Sequence, residues 1–153
     1  MTEGSKQRPT VLFDIDGTLA DIEHRRQLVQ CDKPDWKSFN AQMGDDTPNW
    51  PIVNLYRSLW NTRQYDLILV TGRNETYRKV TEQWLTWNEI PFGEMYMRAD
   101  NDFRGDHIIK EEILGRLLSL GKQILFVVDD RQQVVDMWRR NGITVLQCDV
   151  GDF

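Results

Sequence analysis

Cysteine is scarce in this 153-residue sequence: Cys31 and Cys148 are the only two, without CxxC or His-Cys spacing. A disulfide framework or a zinc site needs more, so both are expected to be free thiols. Long apolar runs are missing as well. The longest, such as Ile124-Leu125-Phe126-Val127-Val128, is far short of a membrane span, and no apolar stretch follows the N-terminus as a signal peptide requires. A cytoplasmic chain without a membrane partner is therefore expected. Positive charge is not in surplus either. A net charge of −5 argues against binding nucleic acid over the whole surface, because such binding rests on many phosphate contacts. It leaves room for a local basic site, and excess carboxylates suit a bound metal.

What is present fits one globular domain. The length allows a single core, and 40% hydrophobic with 28% charged residues is ordinary for a folded chain. Residues 1–9 are polar and read as a tail, leaving 10–153 as the domain. Short apolar runs at Thr10-Val11-Leu12-Phe13, Leu67-Ile68-Leu69-Val70, Ile124 to Val128 and Ile143-Thr144-Val145-Leu146 predict buried strands, with a weaker candidate at Glu94 to Met97. Helical patterns lie between them: Pro51 to Trp60, a helix capped by Asn74 that carries Tyr77, Val80, Trp84 and Trp87, one from about Asp106 to Leu120 stopped by Gly121, and Gln132 to Arg140 ended by Asn141-Gly142. Such alternation predicts an α/β fold with a central parallel sheet of about five strands and helices on both faces. Ligands in these folds sit at the C-terminal strand edge. Residues 21–50 break the alternation with Pro34, Trp36, Phe39, Gly44, Pro48 and Trp50, and read as an insertion.

The strand ends carry the chemistry. Asp14 and Asp16 leave the first strand two residues apart, followed by Gly17, which permits a tight turn, and Thr18, which offers a hydroxyl or a helix cap. Two such carboxylates suit a divalent cation. They also suit a division of labour in which one attacks phosphorus and the other moves protons. The second strand ends in Thr71-Gly72-Arg73, where hydroxyl, amides and guanidinium could bind phosphate oxygens at a helix N-terminus. The fourth ends in Asp129-Asp130 after five apolar residues, an expensive placement unless something positive faces it, which points to a metal. Lys110, beside Glu111 and Glu112, would be an ordinary solvated lysine were it not on the helix leading into that strand, where it can offset the carboxylates and hold phosphate.

In this order Asp14-Ile15-Asp16-Gly17-Thr18, Thr71, Lys110 and Asp129-Asp130 resemble the four motifs of the haloacid dehalogenase-like (HAD) phosphatases, over nearly all of 10–153. The resemblance implies a three-layer Rossmann-like fold and a Mg²⁺-dependent phosphomonoesterase. It makes Asp14 the nucleophile that becomes an aspartyl-phosphate, Asp16 the general acid and base, Thr71 and Lys110 the phosphate holders, and Asp129 a metal ligand with Asp130 close by. The metal set expected from it is Asp14, Asp16, Asp129 and Asp130. The segment Val128 to Arg140, with terminal Gly151-Asp152-Phe153, is similar to the 3′-phosphatase domains of polynucleotide kinases of the T-even phage type. By that similarity Arg25, Arg73 and Asp106 support activity, with Gly72 in the substrate-binding turn.

The implied substrate is a nucleic acid 3′-phosphate end or a nucleotide. Phosphatase action on small esters such as 5′-mononucleotides or sugar phosphates is the alternative, and a non-catalytic end-binding module is a third. No strand-GxxxxGK[ST]-helix is present, since Gly115 to Lys122 has the wrong spacing, so kinase activity is not expected. The insertion around 32–50 resembles a small cap of the kind that selects substrates in this superfamily. Trp36, Phe39 and Trp50 within it could contact a base or sugar, or serve only to close it over the domain. Trp60, Trp84 and Trp138 read as core, Met95 and Met97 as packing of a strand, and His24 and His107 as surface residues. Arg98 and Arg104 read either as a basic path toward Lys110 or as ordinary solvated arginines.

Overall fold

The computed structural model describes residues 7–151. The expected tail therefore lies mostly outside the described residues, as do Asp152 and Phe153. The strands are β1 (Thr10–Phe13), β2 (Ala20–Asp21), β3 (Thr47–Pro48), β4 (Asp66–Asn74), β5 (Met95–Arg98), β6 (Ile124–Arg131) and β7 (Val145–Gly151). The α-helices are α1 (Glu23–Arg26), α2 (Trp36–Ala41), α3 (Trp50–Thr62), α4 (Arg78–Trp87), α5 (Asp106–Ser119) and α6 (Gln132–Arg140). Five strands form one parallel sheet in the order β5-β4-β1-β6-β7. No helix among the described residues is long and apolar enough to cross a membrane.

Alternation along each central strand assigns the two faces. Val11 and Phe13 of β1, with Leu67 and Leu69 of β4, pack into a cluster with Tyr56, Trp84 and Leu85. Leu12, Ile68 and Val70 point the other way, onto Ile109, Ile113 and Leu117 of α5 and Val134, Val135 and Trp138 of α6. Because both faces are covered, these strands read as continuous apolar runs in the sequence. Leu125 is the exception at 48% exposed. The β1–β6 register jumps from Thr10↔Ile124 to Val11↔Phe126, so Leu125 is the extra residue of a bulge and is turned out of the ladder.

The predicted α6 matches residue for residue, and α5 ends at Ser119 with Gly121 at φ 80° behind it. Three expectations change. β4 runs on through Thr71-Gly72-Arg73 to Asn74, so this segment is extended backbone and no helix N-terminus; Asn74 caps a 3₁₀ turn that precedes α4. The last strand begins at Val145, after Ile143-Thr144. Trp87, placed on the apolar stripe of its helix, is 82% exposed because the stripe ends with Trp84 and Leu85. The insertion lies between β2 and β3, which close its base as an antiparallel pair, Ala20↔Pro48 and Asp21↔Thr47.

Candidate active site

The loop after β1 delivers Asp14 and Asp16 to the C-terminal edge of the sheet. The Asp14 amide donates to Val128 O at 3.1 Å, the last step of the β1–β6 ladder. The chain then folds back through Gly17 at φ 80°, with Thr18 N and Ala20 N both donating to Ile15 O. Glycine is needed there twice over: the left-handed backbone favours it, and a Cβ at Gly17 would overlap the Asp130 carboxylate. On the far side of that carboxylate a Cβ at Gly151 would lie 2.6 Å from Asp130 Oδ2. The two glycines thus form a cradle for Asp130. Thr18 is no helix cap; its hydroxyl faces Asp14 Oδ2 at 3.3 Å and Asp130 Oδ1 at 3.5 Å.

Lys110, 1% exposed on α5, reaches Asp14 Oδ1 at 2.9 Å and Asp129 Oδ2 at 3.0 Å. Asp129 has protein donors on both oxygens. Its Oδ1 accepts from Asp130 N, and its Oδ2 accepts a second bond from the Trp138 indole at 3.2 Å. Asp14, Asp129 and Asp130 each place a carboxylate oxygen within 4.8 Å of the others. Burial raises the Asp14 carboxyl well above its ordinary range; Lys110 opposes this, while Asp129, Asp130 and Asp16 add to it. Asp130 is pushed up to about 6, by burial first and the Asp129 charge second. Burial alone would discharge Lys110, but Asp129 and then Asp14 outweigh it and keep the ammonium charged. One lysine against three carboxylates leaves the group short of positive charge, and Asp130 Oδ2 is buried without a hydrogen-bond partner. An open carboxylate oxygen in an oxygen-only cluster is what a hard divalent cation such as Mg²⁺ takes.

Asp16 is placed apart from that group. Its carboxylate accepts from Arg25 at 2.6 Å and from Arg73 at 2.7, 3.1 and 3.2 Å. Burial would raise it, but Arg73 and then Arg25 hold it well below the usual carboxylate range. Of the four residues expected as metal ligands, Asp14, Asp129 and Asp130 are brought together, while the Asp16 side chain faces Arg25 and Arg73. Behind it stands Asp46, a buried residue of the insertion that the sequence reading passed over. Its carboxylate accepts from Arg25 Nε and Nη2, from Arg73 Nη2 at 3.1 Å and pairs with His24 Nε2 at 2.6 Å, while Trp84 donates to its backbone carbonyl. His24 is a surface residue, as expected, and pairs with Asp46 at the edge of this cluster.

Other expected residues are distributed around these two clusters. The Thr71 hydroxyl accepts from Arg73 N at 3.1 Å, and Arg73 also donates to Thr81. Gly72 allows a close approach of Asp106, whose carboxylate pairs with Arg98 at 2.6 Å and Arg131 at 3.1 Å. A cavity of about 570 Å³ opens above this floor, bounded by Asp14, Lys110, Asp130, Arg131, Trp36 and Phe103 among others. Of the insertion's aromatics, Trp36 lines it, Phe39 is 4% exposed beneath the Arg25 guanidinium, and Trp50 lies under Arg57. Asp46 and the Trp138 donor carry no local sequence signal. Phe103 does, as the one aromatic in the polar run Ala99 to Gly105.

Comparison with known proteins agrees with this geometry. The family model described as the polynucleotide kinase PNKP phosphatase domain matches residues 8–153. A chain of the Pnkp1/Rnl/Hen1 RNA repair complex is 30% identical, with a TM-score of 0.81, covering 100% of this chain and 46% of that one. The "Putative bifunctional polynucleotide kinase/RNA ligase" of Autographa californica nuclear polyhedrosis virus is 23% identical over 137 residues, 89% of this chain and 18% of its own length. This chain thus spans less than half of either relative. A HAD family enzyme from Bacteroides thetaiotaomicron, solved with magnesium and inorganic phosphate, shares the fold at a TM-score of 0.56 and 14% identity, covering 96% of this chain and 97% of that one. On the match over 8–153 the chain belongs to the HAD-type polynucleotide kinase PNKP phosphatase domain family.

Proposed function

We propose that the domain removes a 3′-phosphate from nucleic acid ends or nucleotides, with Asp14 as nucleophile. The observation that carries this reading is Lys110 bridging Asp14 and Asp129 beside the orphaned Asp130 oxygen, on the floor of an open cavity. Asp14 attacks phosphorus; the bond to the sugar oxygen breaks, and that oxygen takes a proton from Asp16. Water then attacks the phosphorus of the aspartyl-phosphate and gives its proton to Asp16, freeing inorganic phosphate and restoring the Asp14 carboxylate. Lys110 neutralises charge on the transferring group. Asp14, Asp129 and Asp130 would hold Mg²⁺, which when bound supplies further charge neutralisation at the phosphoryl oxygens.

The geometry around Asp16 sets a condition on its role. Between two guanidiniums it is ionised, ready to accept a proton from water; to donate one to the leaving oxygen it must first leave those partners and take up a proton from solvent as substrate binds. Arg25 and Arg73 accordingly act by holding Asp16 and the insertion, and Asp106 by fixing Arg98 and Arg131 at the rim. A cytoplasmic location is consistent with the free Cys31 and Cys148.

The test is phosphate release with Mg²⁺ from a 3′-phosphorylated oligonucleotide, a 3′-mononucleotide, a 5′-mononucleotide and a sugar phosphate, with Asp14→Asn as control. Release from the 3′-phosphates, lost in the control, supports the reading. Release only from the 5′-mononucleotide or the sugar phosphate overturns the 3′ assignment, and release from none overturns the enzyme.

A further inference from the structure

Two large aromatic side chains are exposed on the walls of the reaction cavity. Phe103, between β5 and α5, is 89% exposed, and Trp36, at the start of α2, is 46% exposed; both line the space whose floor holds Asp14 and Lys110. Exposed aromatics are common enough singly, and Trp87 at 82% is one that lies outside this cavity. What distinguishes this pair is their mounting.

Trp36 packs edge-to-face on Phe39, with centroids 5.5 Å apart, and Phe39 lies 4.2 Å from the guanidinium carbon of Arg25, itself bolted to Asp46 and Asp16. The Phe103 loop is gathered by one side chain, since Arg98 donates to Gly72 O, Asp102 O, Arg104 O and the Asp106 carboxylate. The Trp36 ring is thus braced by Phe39, and the backbone on either side of Phe103 is held by Arg98, so both residues are carried by contacts that lead back to the cavity floor. A side chain on an ordered segment loses less conformational freedom on binding.

Charge around the rim points the same way. Arg98 and Arg131 share Asp106, and Arg104 is taken by Asp102 and Glu112. The basic path that Arg98 and Arg104 could have formed is neutralised within the protein. With these arginines taken up inside the protein, the apolar faces of the substrate are left as a source of affinity beyond its phosphate.

Resting on the 3′-phosphatase reading above, we propose that Trp36 and Phe103 hold the terminal nucleobase, so that the site reads one base-bearing 3′-phosphate nucleotide and not a tract of strand. A cavity of about 570 Å³ has room for a nucleotide and is far larger than phosphate alone needs. Stacking would be tolerant of base identity, because every base presents a π-face.

The experiment compares kcat/KM for two 3′-phosphorylated oligonucleotides, identical except that the terminal nucleotide of one lacks its base. The expected preference for the base-bearing end is about tenfold or more, expressed in KM. Trp36→Ala and Phe103→Ala each bring the ratio toward one, while Trp36→Phe keeps most of it. Raising salt from 50 to 200 mM should raise KM by less than about tenfold, as expected of few phosphate contacts. A ratio of one in the unsubstituted protein overturns the proposal, as does a ratio that either alanine variant leaves unchanged. Equal losses on both oligonucleotides would make the rings merely structural and also overturn it. If neither oligonucleotide is dephosphorylated while a 5′-mononucleotide or sugar phosphate is, the 3′-phosphatase reading itself has failed and the slot falls with it.

Discussion

Two buried charge clusters flank the Asp14–Asp16 loop, and they are built on opposite principles. On the Asp14 side, three carboxylates face one lysine, and an oxygen of Asp130 is left without a partner. On the Asp16 side, Asp16 and Asp46 face Arg25 and Arg73, with His24 at the edge, and both carboxylates are densely hydrogen-bonded. The second cluster is complete as it stands. Its charges cancel, and its bonds tie the insertion to the sheet edge. The first keeps an excess of negative charge and an unpartnered oxygen, which a cation would satisfy. Position alone does not show which acid cluster would take a cation; the charge left over does.

The largest effect should come from the proposed nucleophile, Asp14. Asp14→Asn is expected to lower phosphate release by about 10⁴-fold or more, since the covalent route is lost while binding remains; Mg²⁺-dependent turnover of a 3′-phosphorylated oligonucleotide measures it.

Next come paired substitutions that should move stability in opposite directions. Asp46→Asn removes a partner from the balanced cluster and leaves buried guanidiniums undercompensated, costing about 3–5 kcal/mol. That loss should be the same with Mg²⁺ or EDTA in urea unfolding. Asp130→Asn relieves the unbalanced cluster. It should raise metal-free stability at pH 7 by up to about 3 kcal/mol, from a carboxyl shifted to about 6 against an ordinary 3.8. The same change should abolish stabilisation by Mg²⁺. If both variants lose stability in EDTA, the contrast between the clusters is wrong.

The pH dependence follows from the sign of the Asp130 shift. Its folded value, about 6, lies above the unfolded one, so the folded state holds a proton that the unfolded chain has released. The resulting stability is present below about pH 4, where both states are protonated, and is lost as pH rises through about 6. Mg²⁺ bound at this carboxyl would compete with that proton. Melting temperature in EDTA should therefore fall between about pH 4 and 6, while the increment given by Mg²⁺ grows over that range and levels off above it. An increment independent of pH would mean that the cation binds elsewhere.

The unbalanced cluster was legible in the sequence, as were Asp16, Arg25 and Arg73 of the balanced one; Asp46, which completes it, was not, for a physical reason. Asp14, Lys110 and Asp129-Asp130 stand at the ends of apolar strands or on the helix feeding one, so the hydrophobic pattern that fixes the strands also aims the acids. Asp46 lies in an insertion whose short elements have no such period, and its partners are 21 and 27 residues away. Trp138 read as core because its spacing on α6 is that of a core residue, which it is; the indole N–H that orients Asp129 leaves no trace in that spacing. The run of β4 through Thr71-Gly72-Arg73 was hidden for a similar reason. Its ladder to β5 skips from Val70 to Asn74, and the intervening residues are held by Asp16, Asp46 and Arg98 instead of by an apolar face.

The smallest effect concerns the back of the unbalanced cluster. Cys148 lies half-buried behind the catalytic loop, with its thiol 3.6 Å from Thr18 Oγ1 and 3.8 Å from Gly17 O. Burial pushes it up to about 12, helped by the charges of Asp130, Asp14 and Asp129. The thiolate is the reactive form, so Cys148 should be nearly inert to iodoacetamide at pH 8, while the exposed Cys31 is alkylated. Mass spectrometry of the folded and urea-unfolded protein distinguishes the two sites, with one adduct expected in the first state and two in the second. Fast labelling of Cys148 in the folded protein would show that the loop carrying Asp14 and Thr18 opens, and that the cluster is less tightly enclosed than its distances imply.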